Sequence, residues 1–280
     1  ALTDVAWAFA TSGFTSPSLF ATVSTSPSVV AENVSDESLA QLVWAFATVG
    51  AAAPRLFEAT ARELLARAQK KTLCFSAEDA ARTAWAFAAC GGSYRAPEEL
   101  FAALLPPPPE HPESVAAQLY EVTTYLRLEY PSLLLANNSA RSLRAAYTRQ
   151  ALSHAPSEIQ RDVSALLETV GWKHSSAYLS EEGLSLDLVH RDTKRAIQLH
   201  GPRHCVLDLD SGARVLDGAT RFKLRLLTLL GWTVASVTVD EWASARDGDG
   251  RLRLLSGKLA QILRQHSTAE EEDPADSSNS

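Results

Sequence analysis

Three near-copies of one short segment constrain this chain more than any other feature. They read Val5-Ala-Trp-Ala-Phe-Ala-Thr-Ser-Gly13, Val43-Trp-Ala-Phe-Ala-Thr-Val-Gly50 and Ala84-Trp-Ala-Phe-Ala-Ala-Cys-Gly91. Their tryptophans, Trp7, Trp44 and Trp85, lie 37 and 41 residues apart. A period in this range marks stacked helical units, each too small to bury its apolar face alone. Each unit predicts a helix with a Trp-Ala-Phe-Ala core, a glycine that ends it, and a second helix opened by proline. The second helices begin at Pro17-Ser-Leu-Phe20, Pro54-Arg-Leu-Phe57 and Pro97-Glu-Glu-Leu-Phe101. Glycine accepts the left-handed turn after a helix, and proline costs nothing in a first turn. Asp36, and Ser76 with Asp79, are expected to cap the tryptophan-bearing helices. A degenerate fourth unit is expected from Glu113 through Leu126, with Tyr120 near the tryptophan position, after a stiff spacer at Pro106 to Pro109.

The fixed register of Trp7, Phe9, Trp44, Phe46, Trp85 and Phe87 reads as core. The alternative is a stacking platform for unpaired bases, with Gln41, Thr48, Arg62, Arg82 and Thr83 as flanking polar contacts. Ala145 to Ser157 reads as a boundary, followed by a helix over Glu158 to Val170. Beyond it the period changes from helical to alternating. Leu184-Ser185-Leu186-Asp187-Leu188 and Ile197-Gln198-Leu199-His200 predict strands, the second stopped by Gly201-Pro202. A helix over Ala219 to Leu230 and a strand over Thr233 to Val239 follow, then Asp240-Glu241-Trp242. Trp242 is expected to cap a core, and Glu241 to pair with a base.

The helical pairs resemble the octotricopeptide and heptatricopeptide repeats of organelle RNA-binding proteins. Residues 156–263 resemble a RAP domain, a reduced relative of the restriction-endonuclease-like fold. The two together resemble the FAST-kinase-like architecture. The fold class expected is α plus α/β: an N-terminal α-solenoid over residues 1–150, then a small endonuclease-like α/β domain over residues 156–266 that folds independently. A disordered acidic tail is expected over residues 267–280. The resemblance implies RNA binding in organelle RNA metabolism, with single-stranded mRNA or rRNA as partner. Processing, stability, translation and rRNA maturation are the processes it covers. It places the protein in the mitochondrion, with the plastid as the alternative.

In the endonuclease-like fold, an Asp and an acid-x-Lys pair on neighbouring strands hold a divalent ion that generates hydroxide. Here Asp187 fits the first position, but Gln198 and His200 stand where the related sequences carry acids. Asp187, Gln198, His200 and His204 are the apparatus of a ribonuclease alternative, which would need Mg or Mn. For binding alone no cofactor is expected. His200, His204 and Cys205 lack a fourth ligand, so zinc is not expected either. Arg221, Lys223 and Arg225 on the predicted helix, with Lys194, Arg203 and His204, are the expected RNA contacts, since phosphate binding needs several cations on one surface.

Charge and composition bound these readings. The net charge is −7, and residues 1–110 carry 7 basic against 11 acidic residues. That acidity favours a third reading, a protein scaffold or subunit of an organellar ribosome. From Gly171 onward there are 14 basic and 16 acidic residues; without the five acids at Glu270, Glu271, Glu272, Asp273 and Asp276 the balance is +3. Apolar runs are broken by charges before a spanning length, so no membrane partner is expected. Cys74, Cys90 and Cys205 show no paired spacing. The chain has no methionine, even at position 1, and opens inside a helical pattern. It reads as a fragment of a longer product, whose targeting segment would lie outside it.

Overall fold

The structure is a computed structural model that describes residues 2–30, 33–105, 113–133, 137–152 and 157–270. In chain order the elements are α1 (Leu2–Thr11), β1 (Phe14–Thr15), α2 (Pro17–Thr25), α3 (Asp36–Val49), α4 (Pro54–Gln69), α5 (Ala77–Ala89), α6 (Glu98–Leu104), α7 (Glu113–Glu129) and α8 (Asn137–Leu152). The second half adds α9 (Glu158–Thr169), β2 (Ser175–Leu179), β3 (Ser185–His190), β4 (Arg195–His200), β5 (Cys205–Asp208), β6 (Arg214–Leu216), α10 (Gly218–Leu229), β7 (Thr233–Thr238), α11 (Val239–Ser244) and α12 (Gly248–Glu270). The described residues are thus mostly helical, with two small sheets, an α plus α/β composition. The spacer at Pro106 to Pro109 lies outside them. So do residues 271–280 of the expected tail, whereas 267–270 continue α12.

Two compact units emerge. One comprises residues 1–153 and 202–226; the other comprises residues 154–201 and 227–280. Residues 202–226, which fall inside the expected 156–266 domain, group with the first unit. The segment 202–226 makes its contacts with the repeats, because its strands and arginines find their hydrogen-bond partners there.

In the first unit α1, α3, α5 and α7 neighbour one another in sequence, and α2, α4 and α6 form a second row. The repeated aromatics explain the stacking. Phe20 of α2 meets Phe46 of α3 edge to face at 4.9 Å, and Phe57 of α4 meets Phe87 of α5 at 5.4 Å. Phe101 of α6 meets Tyr125 of α7 at 6.2 Å. Each proline-opened helix thus presents its phenylalanine to the aromatic of the next unit, a favourable quadrupole geometry. In the degenerate unit Tyr125 holds the phenylalanine position against Phe101, and Tyr120 packs on Tyr147 of α8 at 5.1 Å. Phe46, Trp85 and Phe87 are buried, while Trp7, Phe9 and Trp44 are half-buried. Trp7 and Trp44 lie against each other at 4.5 Å.

The local signals are mostly where the sequence places them. Pro17 and Pro54 open α2 and α4, and Gly50 ends α3 at φ 70°. Pro97 stands one residue earlier than expected, as the N-cap of α6. Ser76 caps α5 through Asp79 N–H. Asp36 does not cap α3; Ser35 does, accepting Ser38 N–H at 3.2 Å. Asp36 instead accepts from Arg67 at 2.6 Å and from Cys74 N–H at 2.7 Å, tying α3 to the end of α4. A three-stranded sheet ordered β1-β5-β6 joins the loop after α1 to the segment 205–216.

The second unit holds a four-stranded sheet ordered β2-β3-β4-β7, with β4 and β7 parallel and the other pairs antiparallel. Val163, Leu167, Leu188, Ile197, Val237, Trp242 and Leu255 form its core between sheet, α9 and α12. Helix α11 opens with a capping box between Thr238 and Glu241, and Lys258 donates to Glu241 at 2.6 Å. Asp240-Glu241-Trp242 is therefore a helix start, and Trp242 is core.

Candidate nucleic-acid interface

Helix α10 carries the densest expected RNA contacts, and its neighbours are helix ends. The last carbonyls of an α-helix have no partner in the helix and carry the negative end of its dipole. Arg221 donates to Gly50 O at 3.1 Å, just past the end of α3. One turn on, Arg225 donates to Ala89 O at 2.9 Å and also to Ala88 O, at the end of α5. Between them Phe222 is buried, its ring 6.3 Å from Trp85 and 5.9 Å from Tyr125. The guanidinium of Arg225 lies over the rings of Tyr125 and Phe222 at 5.3 and 5.1 Å. At the start of α10, a Cβ on Gly218 would overlap Ala47 O, so only glycine allows this approach to α3. Asp217 holds the first turn by accepting Thr220 N–H at 2.7 Å.

Lys223 faces a different group. Its charge acts on Glu121 of α7, whose carboxylate accepts Trp85 Nε1–H at 2.9 Å. Loss of hydration pushes the Glu121 pKa up to about 7, against the opposing pull of the Trp85 hydrogen bond and Lys223. The three bases of α10 are therefore not one solvated cluster. Arg225 is half-buried, and both arginines spend donors on main-chain carbonyls. This role was illegible in sequence, since the acceptors are main-chain atoms 136 to 171 residues away.

The remaining expected contacts are exposed. Arg203 and His204 sit on a short turn of 3-10 helix at Pro202–His204, with His204 Nδ1 3.4 Å from Thr220 Oγ1. Lys194 belongs to the other unit, in the left-handed turn between β3 and β4, and donates to Leu230 O at 3.3 Å.

The polar residues on β3 and β4 are used by the sheet itself. Asp187 accepts Leu199 N–H at 2.8 Å, where the paired ladder of β3 and β4 stops. Gln198 and His200 lie on one face of β4, and both are buried. Gln198 donates to Ser185 O at 3.0 Å, and His200 Nε2 lies 3.0 Å from Ser236 Oγ. This donor set does not fit a hard divalent ion, which calls for several carboxylate oxygens. Among the described residues no group of three or more His, Cys, Asp or Glu side chains could hold a metal. His204 lies in the first unit, on a different element from the other three.

No protein-family model matches the chain. It is similar to a protein of Oryza sativa subsp. japonica described as "RAP domain-containing protein, chloroplastic", with 30% identity over 132 residues. The match covers 45% of this chain and 19% of the rice protein, so the chain spans about a fifth of that relative's length.

Proposed function

We propose that this chain is an RNA-binding module of organelle RNA metabolism, an α-solenoid of helical pairs continued by a RAP-type α/β domain. The observation that carries the reading is the likeness to the rice RAP domain-containing protein, whose description also names the chloroplast. It moves the proposed location from the mitochondrion, expected from the sequence, to the plastid. The partner proposed is single-stranded RNA, mRNA or rRNA, and the process is its processing, stability or translation. Of the expected contacts, Lys194, Arg203 and His204 are retained because their side chains are exposed. Arg221 and Arg225 are assigned to holding the helix ends.

The binding is proposed to need no metal, because Asp187, Gln198 and His200 already serve the sheet. The test is fluorescence anisotropy of labelled single-stranded RNA across a salt series, with and without EDTA. Binding that weakens with salt and ignores EDTA is expected, since phosphate contacts release counterions. No affinity at low salt would overturn the reading. Mg- or Mn-dependent cleavage that vanishes in Asp187→Asn would replace it with the ribonuclease.

A further inference from the structure

Three arginines of α4 and α5 sit beside carboxylates one turn away. Arg62 pairs with Glu58 at 3.0 Å, Arg67 with Glu63 at 2.6 Å and Arg82 with Glu78 at 2.6 Å. The stretch that holds α8 has a different composition. Between Glu129 and Glu158 the chain has no Asp or Glu, yet it carries Arg141, Arg144 and Arg149. In a chain of net charge −7 this stretch is net +3.

The rotation of α8 is set by its buried side. Leu143 and Tyr147 are buried, with the Tyr147 ring 5.1 Å from that of Tyr120 on α7. The opposite side exposes Arg141, Arg144, Ala145 and Arg149. With Thr148, these residues line a groove of about 390 Å³. Positions 141, 144, 145 and 148 follow the i, i+3, i+4, i+7 spacing of one helix strip, and 149 lies beside it. From Arg141 to Arg149 the strip runs about 12 Å along the axis.

We propose that this arginine face of α8 binds the sugar-phosphate backbone of single-stranded RNA without regard to base sequence. The inference rests on the RNA-binding reading above and adds a surface to it. Guanidinium forks match phosphate oxygens in bidentate pairs. The groove floor supplies a small side chain, Ala145, and a hydroxyl, Thr148, so a backbone can approach closely. A protein partner would call for an aromatic or large apolar anchor at the centre of the patch, and the groove has none.

The test uses the full chain with Arg141, Arg144 and Arg149 all replaced by Glu, and labelled poly(U) as probe. Affinity is expected to fall at least about tenfold. The slope of log affinity against log salt should shrink by about 2, since each phosphate contact on a single strand contributes roughly 0.7. Lysine at the three positions is expected to restore most of the slope. A folded Glu variant with the wild-type slope overturns this inference and leaves the RNA reading standing. A wild-type chain without RNA affinity overturns both. Unchanged poly(U) affinity with lost binding to polyglutamate also overturns it, and assigns the face to an acidic protein. If the Glu variant does not fold, ultraviolet crosslinking of the wild-type chain to thiouridine-substituted RNA decides. Adducts within residues 137–152 support the proposal, and adducts confined elsewhere overturn it.

Discussion

Glu121 is ionisable and accepts from the ring of Trp85, and its titration has a stability consequence. Burial raises its folded pKa from 4.5 to about 7. A raised folded pKa favours the protonated form, so the contribution is fully present below the unfolded pKa and is lost as pH rises through the folded one. Glu121→Gln keeps an acceptor for Trp85 and removes the charge. It is expected to be near neutral at about pH 4.5 and stabilising by on the order of 1–3 kcal/mol at pH 8. The check is the Tm difference between the two proteins across pH; a difference flat in pH refutes it. Arg225 carries a separate expectation. Arg225→Ala removes the guanidinium that donates to the Ala88 and Ala89 carbonyls and should cost about 2–3 kcal/mol. A loss of RNA affinity at unchanged Tm would instead restore it as a binding residue.

At the scale of elements, the tryptophans that look identical in sequence are not equivalent. Trp85 is buried and donates to Glu121, whereas Trp44 is half-buried and its Nε1 is enclosed with no acceptor among the described residues. Trp44→Phe removes that donor while keeping an aromatic face, and is expected to change stability by less than about 1 kcal/mol. Trp85→Phe strips Glu121 of its donor and should cost more, while Trp85→Ala should cost about 3–5 kcal/mol. Chemical denaturation of the three variants gives the order. Gly218→Ala tests how α10 docks within its unit. The Ala47 carbonyl belongs to a helix end and cannot swing away, so the helix must shift and weaken the Arg221 and Arg225 contacts. A marked fall in Tm is expected; an unchanged Tm would show that α10 can slide without loss.

At the scale of the molecule, the chain leaves one compact unit and returns to it. The connection between the parallel strands β4 and β7 runs through residues 201–232, and most of it is counted with the repeats. A fragment of residues 156–266 therefore keeps β5, β6 and α10 without β1, Trp85, Tyr125 and the helix ends they bind. It is expected to unfold less cooperatively than the same residues in the full chain. A fragment of residues 1–153 loses Phe222 and the two arginines and should melt several degrees below one of residues 1–226. Circular dichroism melts decide both; matching Tm values for 1–153 and 1–226 would show that the insertion contributes nothing.

The sequence by itself determined what depends on near neighbours. The helices of the repeats, their glycine and proline punctuation, and the strands β3, β4 and β7 all follow from spacing and backbone preference. The three-residue strand β6 and the two-residue strand β1 were invisible because so short a run carries no period. The cap at Ser35 rather than Asp36 turned on the competing pull of Arg67, a contact 31 residues away. Only the tertiary structure decided the fate of the basic residues. Arginine spacing on α10 is equally suited to phosphates and to the carbonyl ends of two helices, and α8 offers no aromatic motif to attract notice. Which surface a cation meets depends on what the fold brings to it, and that is long-range information that no local pattern encodes.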